Sequence, residues 1–216
     1  MKLIDQGRLG LDDPVVHHLS DFALADAEVV RAVTVRQLLN HTNGIDGDFF
    51  PADDPEGPSP RSYLRKMHRL LNPYPPGKSP MTYSNSGYVV AGRIIEVLTG
   101  RTWADAVTGL ICKPLGMQHA FADPRQSLRF RCAMGHVPDP QGSGEVGFAQ
   151  DTYLPLSMAA CGSVLTMSVG SLLRFAQAHI DDGRPILSSA SARRMREETV
   201  PLPPFTRYGV THRGLG

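Results

Sequence analysis

The sequence has no run of apolar residues that approaches the roughly 20 needed for a membrane-spanning helix. Its first residues also lack a signal-peptide core, because Leu3 and Ile4 are followed at once by charged residues. The sequence therefore predicts no membrane span. It assigns no cellular compartment, because we expect the true N-terminus of the protein to lie upstream of Met1.

Neither sign of charge is in excess, since 22 Lys and Arg residues balance 21 Asp and Glu residues to a formal net charge of +1. A nucleic-acid-binding domain normally carries clustered positive charge that neutralises phosphates. The basic run of Arg61, Arg65, Lys66 and Arg69 is interpreted instead as the solvated face of a helix. We therefore expect no nucleic-acid partner.

Cysteine is scarce, and the three residues, Cys112, Cys132 and Cys161, form no C-x-x-C pair. Neither a disulfide framework nor a zinc site is indicated, and we expect these thiols to be small buried apolar side chains. His17 and His18 are adjacent, so they point to different faces and make a poor metal site. The H-E-x-x-H, P-loop and G-x-G-x-x-G motifs are also absent. We therefore expect no metal and no cofactor.

Common nucleophile motifs are missing too. No serine occurs in a G-x-S-x-G sequence, which excludes the strand-to-helix elbow of the α/β-hydrolases. No serine lies three positions before a lysine, where Tyr63, Pro75 and Leu110 stand instead. The chain thus contains no recognisable serine nucleophile, and as written we expect it to be inactive.

The sequence does contain a series of helix signals. Thr34–Gln37 has the S/T-x-x-E/Q form of a capping box, and the helix that follows is expected to end near Asn43-Gly44. Ser59-Pro60 combines an N-cap with proline at the first helical position, and Leu70 and Leu71 are expected on the apolar side of that helix. Further helices are predicted from apolar spacing over the ranges 84–98, 102–111, 168–180 and 188–198.

Strand signals are few. Residues Leu128–Met134 alternate apolar with other side chains at a period of two, and they are the clearest strand candidate. Residues 208–210 resemble the start of another strand. The sequence therefore predicts a mostly helical chain with one or two short strands, in a composition typical of globular proteins.

The segment Tyr83–Asn85 lies where a proline-rich connector, residues 72–80, meets the start of a long helix. A junction of this kind can hold polar side chains toward a cleft. Two interpretations stay open on the residues alone. Either Tyr83 and Asn85 are site residues, or they are a core tyrosine with a locally satisfied hydroxyl and a helix N-cap.

Four stretches resemble, in the same order, landmarks of the class C β-lactamase, esterase and D-peptidase family. The landmarks are G-K-L-x-L-D-D-P-V, I-T-V-R-H-L-L-T-H-T-S-G, P-G-x-x-x-x-Y-S-N-x-G-Y and P-L-G-M, and the matching stretches are Gly7–Val15, Val33–Gly44, Pro76–Tyr88 and Pro114–Met117. Ala160–Ser163 and Leu172–Phe175 fit more loosely. Ser171 departs from the pattern, because the family commonly has an acidic residue there.

The resemblance implies an α/β fold of the β-lactamase/transpeptidase type, here mostly its helical part with few short strands. It implies a serine hydrolase that forms an acyl-enzyme on a small-molecule or peptide substrate: a β-lactam, an ester or a D-amino peptide. Tyr83 would be catalytic, exchanging protons with the serine hydroxyl and the leaving group, and Asn85 would bind the substrate through an amide or carbonyl group. Loop 46–54 would form part of the cleft rim. His41 is interpreted as a helix cap or dipole partner rather than a base.

The family's first motif, S-x-x-K, and its third, K-T-G or H-x-G, are expected upstream of Met1 and beyond Gly216, although His212–Gly214 has the letters H-x-G. Residues 1–216 are thus predicted to be one partial domain that lacks the sheet-forming termini and exposes apolar helix faces. The alternative is a noncatalytic, truncated helical binding module or a pseudogene product. The sequence leaves the oligomeric state open.

Overall fold

The architecture comes from a computed structural model, which describes residues 1–55, 57–78, 81–139, 142, 144–149, 153–202 and 209–215. Over these residues helix predominates, as predicted. The α-helices are α1 (Lys2–Asp5), α2 (Ala27–Ala32), α3 (Val35–Leu39), α4 (Pro60–Lys66), α5 (Asn85–Thr99), α6 (Trp103–Val107), α7 (Val169–Ile180) and α8 (Ser189–Glu197). The strands are β1 (Ala120–Phe121), β2 (His136–Pro138), β3 (Val146–Phe148), β4 (Thr166–Met167), β5 (Val200–Pro201) and β6 (His212–Arg213).

The strands pair only two by two within the described part of the chain. Strand β1 pairs with β4, β2 with β3, and β5 with β6, all antiparallel. Each strand is two or three residues long, so none of these pairs forms a layer that could support the fold by itself. The helices therefore carry most of the packing.

Helix α5 is the central element, and its ends are where the sequence predicted them. Ser84 is the N-cap, since its hydroxyl accepts a hydrogen bond from the Gly87 backbone nitrogen at 3.1 Å. Gly100 ends the helix in the left-handed conformation with φ of 65°. The helix buries Val89, Val90 and Ile94 against α3, α4, α6 and the 3-10 turn Leu156–Cys161. None of the described helices has the length and apolar character to cross a membrane.

Both predicted capping motifs are present. The Thr34 hydroxyl and the Gln37 side chain cap the start of α3 reciprocally, and Ser59 and Ser62 do the same for α4. Helix α3 nevertheless ends at Leu39, earlier than predicted. The chain turns there because the Asn40 side-chain oxygen accepts hydrogen bonds from the backbone nitrogen and the hydroxyl of Thr42.

The main core lies between α3, α4, α5 and the segment before α2. Its fully buried side chains include Val15, Leu19, Val33, Leu38, Ile45, Tyr63, Leu64, Met67, Val89, Ile94 and Met158. The prediction for the end of α4 is wrong in part. The helix stops before Leu70 and Leu71, and Leu71 is exposed rather than packed on the apolar side.

The strand predicted at Leu128–Met134 is wrong. Residues Pro124–Arg129 form a 3-10 turn that is capped by the Asp123 carboxylate, and the rest of the stretch is irregular. Strand β1 lies close, since its Phe121 ring stacks on Phe130 with centroids 5.3 Å apart, but β1 pairs with β4, so the alternating pattern has no ladder to join. Cys132 is exposed, contrary to expectation, whereas Cys112 is buried and Cys161 half-buried.

Helix α7 starts one residue after the predicted Ser168, which is its N-cap, but most of its apolar stripe is exposed. Leu172, Leu173 and Ile180 are exposed, while the helix buries Ser171 and Ala178. The predicted exposure of an apolar helix face is therefore present in the structure. Of the strand predicted at 208–210, Tyr208 lies outside the described residues, and Gly209 and Val210 are not in a strand.

Candidate active site

The proline-rich connector delivers the chain to Tyr83 along the turn that follows α3. The backbone nitrogen of Gly77 donates to the Thr42 carbonyl at 2.8 Å, and that of Thr82 donates to the His41 carbonyl at 2.9 Å. Gly44 allows the close approach, because a side chain there would meet the Tyr74 carbonyl. These contacts place Tyr83 beside His41.

Tyr83 points out of the protein just before α5 begins. Its side chain is 55% exposed, and no hydrogen bond joins its hydroxyl to another of the described residues. Its ring lies 4.6 Å from the His41 ring, and the Arg213 guanidinium carbon lies 5.8 Å from its centroid. The interpretation as a core tyrosine with a locally satisfied hydroxyl is therefore wrong.

Asn85 is the first residue of α5 and not its cap. Ser84 is the N-cap and is buried, so the interpretation of Asn85 as an N-cap is also wrong. The Asn85 side chain is half-buried, and its amide makes no hydrogen bond to the other residues that the structure describes. Two polar groups without partners, a phenol and an amide, thus flank a firmly held serine.

Sequence reasoning missed the role of His41. The residue is buried, has a φ of 60°, and accepts a hydrogen bond from the Ser84 backbone nitrogen on Nδ1 at 3.0 Å. Its ring also stacks on Tyr88 with centroids 5.0 Å apart. Burial, aided by the charge of Arg213, lowers the pKa of His41 to about 4. It is therefore neutral at pH 7 and carries no charge to act as the predicted dipole partner. It is also not the predicted cap of α3, because Nδ1 accepts from Ser84 and Nε2 donates to none of the described residues.

A second group of hydroxyls lies beneath the segment. The Ser86 hydroxyl donates to the Asp46 carbonyl at 2.7 Å and lies 2.8 Å from the Tyr63 hydroxyl, which donates to the Phe49 carbonyl at 2.9 Å. The two hydroxyl groups have one hydrogen each but make three contacts, so only two of the three contacts are hydrogen bonds at any moment. Burial raises the pKa of Tyr63 to about 12, which keeps this phenol neutral. The group attaches loop 46–54 to α5.

Loop 46–54 lies against the candidate site, where the cleft rim was predicted. Gly47 packs on the Tyr83 carbonyl and on Ser84, whose Cα would lie 2.7 Å from an added Cβ. At the other end of the loop, the Asp53 carboxylate accepts hydrogen bonds from the backbone nitrogens of Leu156 and Ser157 at 2.8 and 2.9 Å. The loop is thus held at both ends.

Strand β6 adds a cation to the site. His212 itself is exposed and contacts the Thr211 hydroxyl, whereas Arg213 reaches over the Tyr83 ring. The Arg213 Nε atom is buried without a partner among the described residues. Burial raises the pKa of Tyr88, and the charge of Arg213 opposes that rise. The H-x-G letters of His212–Gly214 made this segment a candidate for the third motif, but no sequence pattern predicted a role for Arg213.

Metal ligands are not assembled at this site or elsewhere in the described part of the chain, where no group of three or more His, Cys, Asp or Glu side chains could hold a metal ion. The functional groups at this site are a phenol, a primary amide and a neutral imidazole, with a guanidinium nearby. Such groups can transfer a proton and hydrogen-bond a carbonyl.

Comparisons with known proteins agree with the motif order. The family model described as Beta-lactamase matches residues 1–216. Penicillin-binding protein 4 of Amycolatopsis lactamdurans is 38% identical over 203 residues, which is 92% of this chain and 52% of that protein. The chain thus spans about half the length of this curated relative.

Solved structures share the fold. The octameric penicillin-binding protein homologue from Pyrococcus abyssi superposes with a TM-score of 0.78 at 24% identity, over 100% of this chain and 49% of that one. The D-amino acid amidase from Ochrobactrum anthropi SV3, complexed with L-phenylalanine amide, gives 0.77 at 25% identity, over 100% of this chain and 60% of that one. The helical arrangement described above is therefore that of the β-lactamase/transpeptidase-like fold.

Proposed function

Because this chain belongs to the beta-lactamase family, we propose that it carries the second catalytic element of a serine acyl-transfer hydrolase, with Tyr83 and Asn85 as its working side chains. One observation carries the proposal: both groups stand without partners among the described residues at the start of α5, on either side of the buried cap Ser84. The S-x-x-K nucleophile does not occur in these 216 residues.

Tyr83 is proposed as the group that moves the proton. In acyl transfer through a serine, the hydroxyl loses its proton as it attacks the carbonyl, and the leaving group gains one as it departs. The side chain of Tyr83 is 55% exposed, and its hydroxyl has no partner among the described residues, so this hydroxyl is open to a bound substrate. That position supports the proposed role.

Asn85 is proposed to bind the substrate. A primary amide offers two donors and a carbonyl acceptor, so it can hold the amide or carbonyl group of a bound acyl compound in one orientation. Its place on the first turn of α5 fixes its backbone, because the Ser84 cap holds that turn. Tyr83 and Asn85 are then separated by one residue whose backbone nitrogen and hydroxyl are both hydrogen-bonded.

The proposed substrates are a β-lactam, an ester or a D-amino peptide. The names of two relatives support two of these classes: the penicillin-binding protein supports a β-lactam, and the D-amino acid amidase supports a D-amino acyl compound. The ester class stays in the proposal because the four matching stretches resemble landmarks of a family that includes esterases.

A direct test is hydrolysis of three chromogenic probes: a β-lactam, a p-nitrophenyl ester and a D-amino acid p-nitroanilide. The probes are given to this chain and to any longer product of the same reading frame. We expect turnover only where a serine three positions before a lysine is present, and loss of turnover in Tyr83→Phe. Turnover that is unchanged in Tyr83→Phe would overturn the proposal.

A noncatalytic binding role is the second candidate, and the exposed stripe on α7 favours it. Leu172 and Leu173 are 51% and 62% exposed on one side of that helix. A separate apolar cavity of about 170 Å³ opens between α1, α5 and α6, and is lined by residues that include Leu3, Leu9, Ile94, Leu110 and Ile111. Binding of a partner protein by a chain that hydrolyses none of the three probes would favour this candidate.

A further inference from the structure

His41 has contacts that relate it directly to the proposed catalytic segment. Resting on the function proposed above, we propose that His41 is the positioning residue for Tyr83 and Asn85: it holds the Ser84 amide through Nδ1 and supports the Tyr83 ring with its own. His41 acts through these neighbours and need not touch the substrate.

His41 makes a hydrogen bond to the residue before Tyr83 and another to the residue after it. Its carbonyl accepts from the Thr82 backbone nitrogen at 2.9 Å, and its Nδ1 accepts from the Ser84 backbone nitrogen at 3.0 Å. Between these two bonds lies Tyr83, whose ring is 4.6 Å from the imidazole at an interplanar angle of 32°. The backbone on either side of Tyr83 is therefore held by one residue, and Asn85 follows Ser84 directly.

The tautomer follows from the hydrogen bond. A neutral imidazole carries one proton, and since Nδ1 accepts from Ser84, the proton lies on Nε2. The Nε2 atom is buried and has no partner among the described residues. An unpaired buried donor is destabilising, and so is the φ of 60° at a residue other than glycine. His41 thus combines an unpaired buried donor with an unfavourable φ, and these two costs at one residue indicate a role beyond packing.

The surroundings of His41 keep it neutral. The groups that face it are the phenol of Tyr88, which stacks on its ring, the phenol of Tyr83, which is tilted against it, and the cation of Arg213 from β6. No carboxylate of the described residues contributes to its charge balance. Protonation would put a hydrogen on Nδ1 directly opposite the Ser84 N–H, so the two donors would repel and the segment would lose its anchor.

Two substitutions separate the acceptor from the ring. In His41→Asn the side-chain oxygen can take the place of Nδ1, and asparagine tolerates positive φ. In His41→Phe the ring remains and the acceptor is lost. Amide hydrogen exchange of this chain, followed by NMR, reports on the Ser84 N–H, with the Val90 amide in the middle of α5 as internal control.

The expected result is rescue by asparagine. Exchange at Ser84 should be at least about fivefold faster in His41→Phe than in the unmodified chain, and within about twofold of it in His41→Asn, after correction for Val90. A residue that only fills space would give the opposite order, because phenylalanine preserves the stacked ring. Unchanged exchange in both variants, or faster exchange in the asparagine variant alone, would overturn the proposal.

A measurement on the unmodified chain keeps the proposal testable if the variants do not fold. Protection of the Ser84 amide should be lost as the His41 imidazole titrates, at about pH 4, while Val90 stays protected. Loss of protection at Val90 first would overturn the proposal. Neither experiment uses a substrate. If Tyr83→Phe did not alter hydrolysis, the proposed function would be refuted, but the exchange results for Ser84 would still test the hydrogen bond to His41.

Discussion

The imidazole Nδ1 of His41 lies 3.0 Å from the backbone nitrogen of Ser84, which donates a hydrogen bond to it. The two residues are 43 positions apart, so the bond joins the turn after α3 to the turn before α5. Both residues are buried, whereas Tyr83, which precedes Ser84 and lies with its ring 4.6 Å from that of His41, is open to solvent. The buried hydrogen bond thus holds the backbone next to the exposed phenol of Tyr83.

In a longer product of the reading frame that carries a serine three positions before a lysine, replacing Tyr83 by phenylalanine should remove activity and leave the fold intact. A proton-transferring side chain typically contributes about 10²- to 10⁴-fold to the rate, so hydrolysis of the probe should fall by that factor. Stability should change by less than about 0.5 kcal/mol, because the hydroxyl has no partner among the described residues. Tyr153→Phe is the matched control, since that tyrosine is 44% exposed. Equal losses in the two variants would contradict the assignment.

The neighbours Ser84 and Asn85 should behave differently when each is replaced by alanine. Ser84→Ala removes the N-cap of α5 and should lower the free energy of unfolding by about 1–2 kcal/mol. Asn85→Ala should change it by less than about 0.5 kcal/mol, because its amide is not used within the described structure. In a longer product that carries a serine three positions before a lysine, the same substitution should raise KM or lower kcat. Urea unfolding and the hydrolysis assay measure the two effects. A larger loss of stability in Asn85→Ala would assign the cap to Asn85 instead.

Gly47 should tolerate no side chain. An added Cβ would meet the Tyr83 carbonyl and lie 2.7 Å from the Ser84 Cα, so Gly47→Ala should push loop 46–54 off the site and cost about 1–3 kcal/mol. Gly147→Ala is the control, because nothing lies within 4 Å of a Cβ at that position. Thermal unfolding compares the two variants, and equal melting temperatures would show that the loop is not packed on the segment.

The stability of the chain should depend on pH through His41. Burial lowers the pKa of His41 from 6.5 to about 4, so between those values the unfolded chain binds a proton at this residue that the folded chain does not. Stability should therefore fall as the pH drops through this window, by about 3 kcal/mol in total. Urea unfolding of the unmodified chain and of His41→Asn, at about pH 7.5 and about pH 4.5, isolates this contribution. An identical pH dependence in the two proteins would refute it.

The exposed stripe on α7 should cause association. Replacing Leu172 and Leu173 by glutamate places charge on the stripe and should reduce self-association without destabilising the chain, because both side chains are already exposed. Sedimentation velocity measures the change. Leu128→Glu is the control, since Leu128 is 75% exposed but lies outside α7. A monomeric unmodified chain with cooperative unfolding would contradict this prediction.

The sequence by itself determined where several helices begin and where α5 ends. The N-caps Thr34 and Ser59 and the left-handed Gly100 are where the sequence predicted them, and α5 and α7 each begin one residue after the first residue of the predicted range. Capping depends on side chains within three or four residues of the backbone groups they satisfy, so a local pattern is sufficient. The position of Tyr83–Asn85 at the start of α5 was predictable for the same reason.

Only the tertiary structure decided what surrounds that segment and which faces are covered. His41 and Arg213 reach Tyr83 from 42 residues before it and 130 after it, and no local pattern encodes such a meeting. The strand predicted at Leu128–Met134 failed because a strand needs a partner to pair with, and the stripe of α7 is exposed because apolar spacing does not specify what lies opposite. Periodicity fixes a helix and its apolar side, whereas burial and pairing depend on residues distant in sequence.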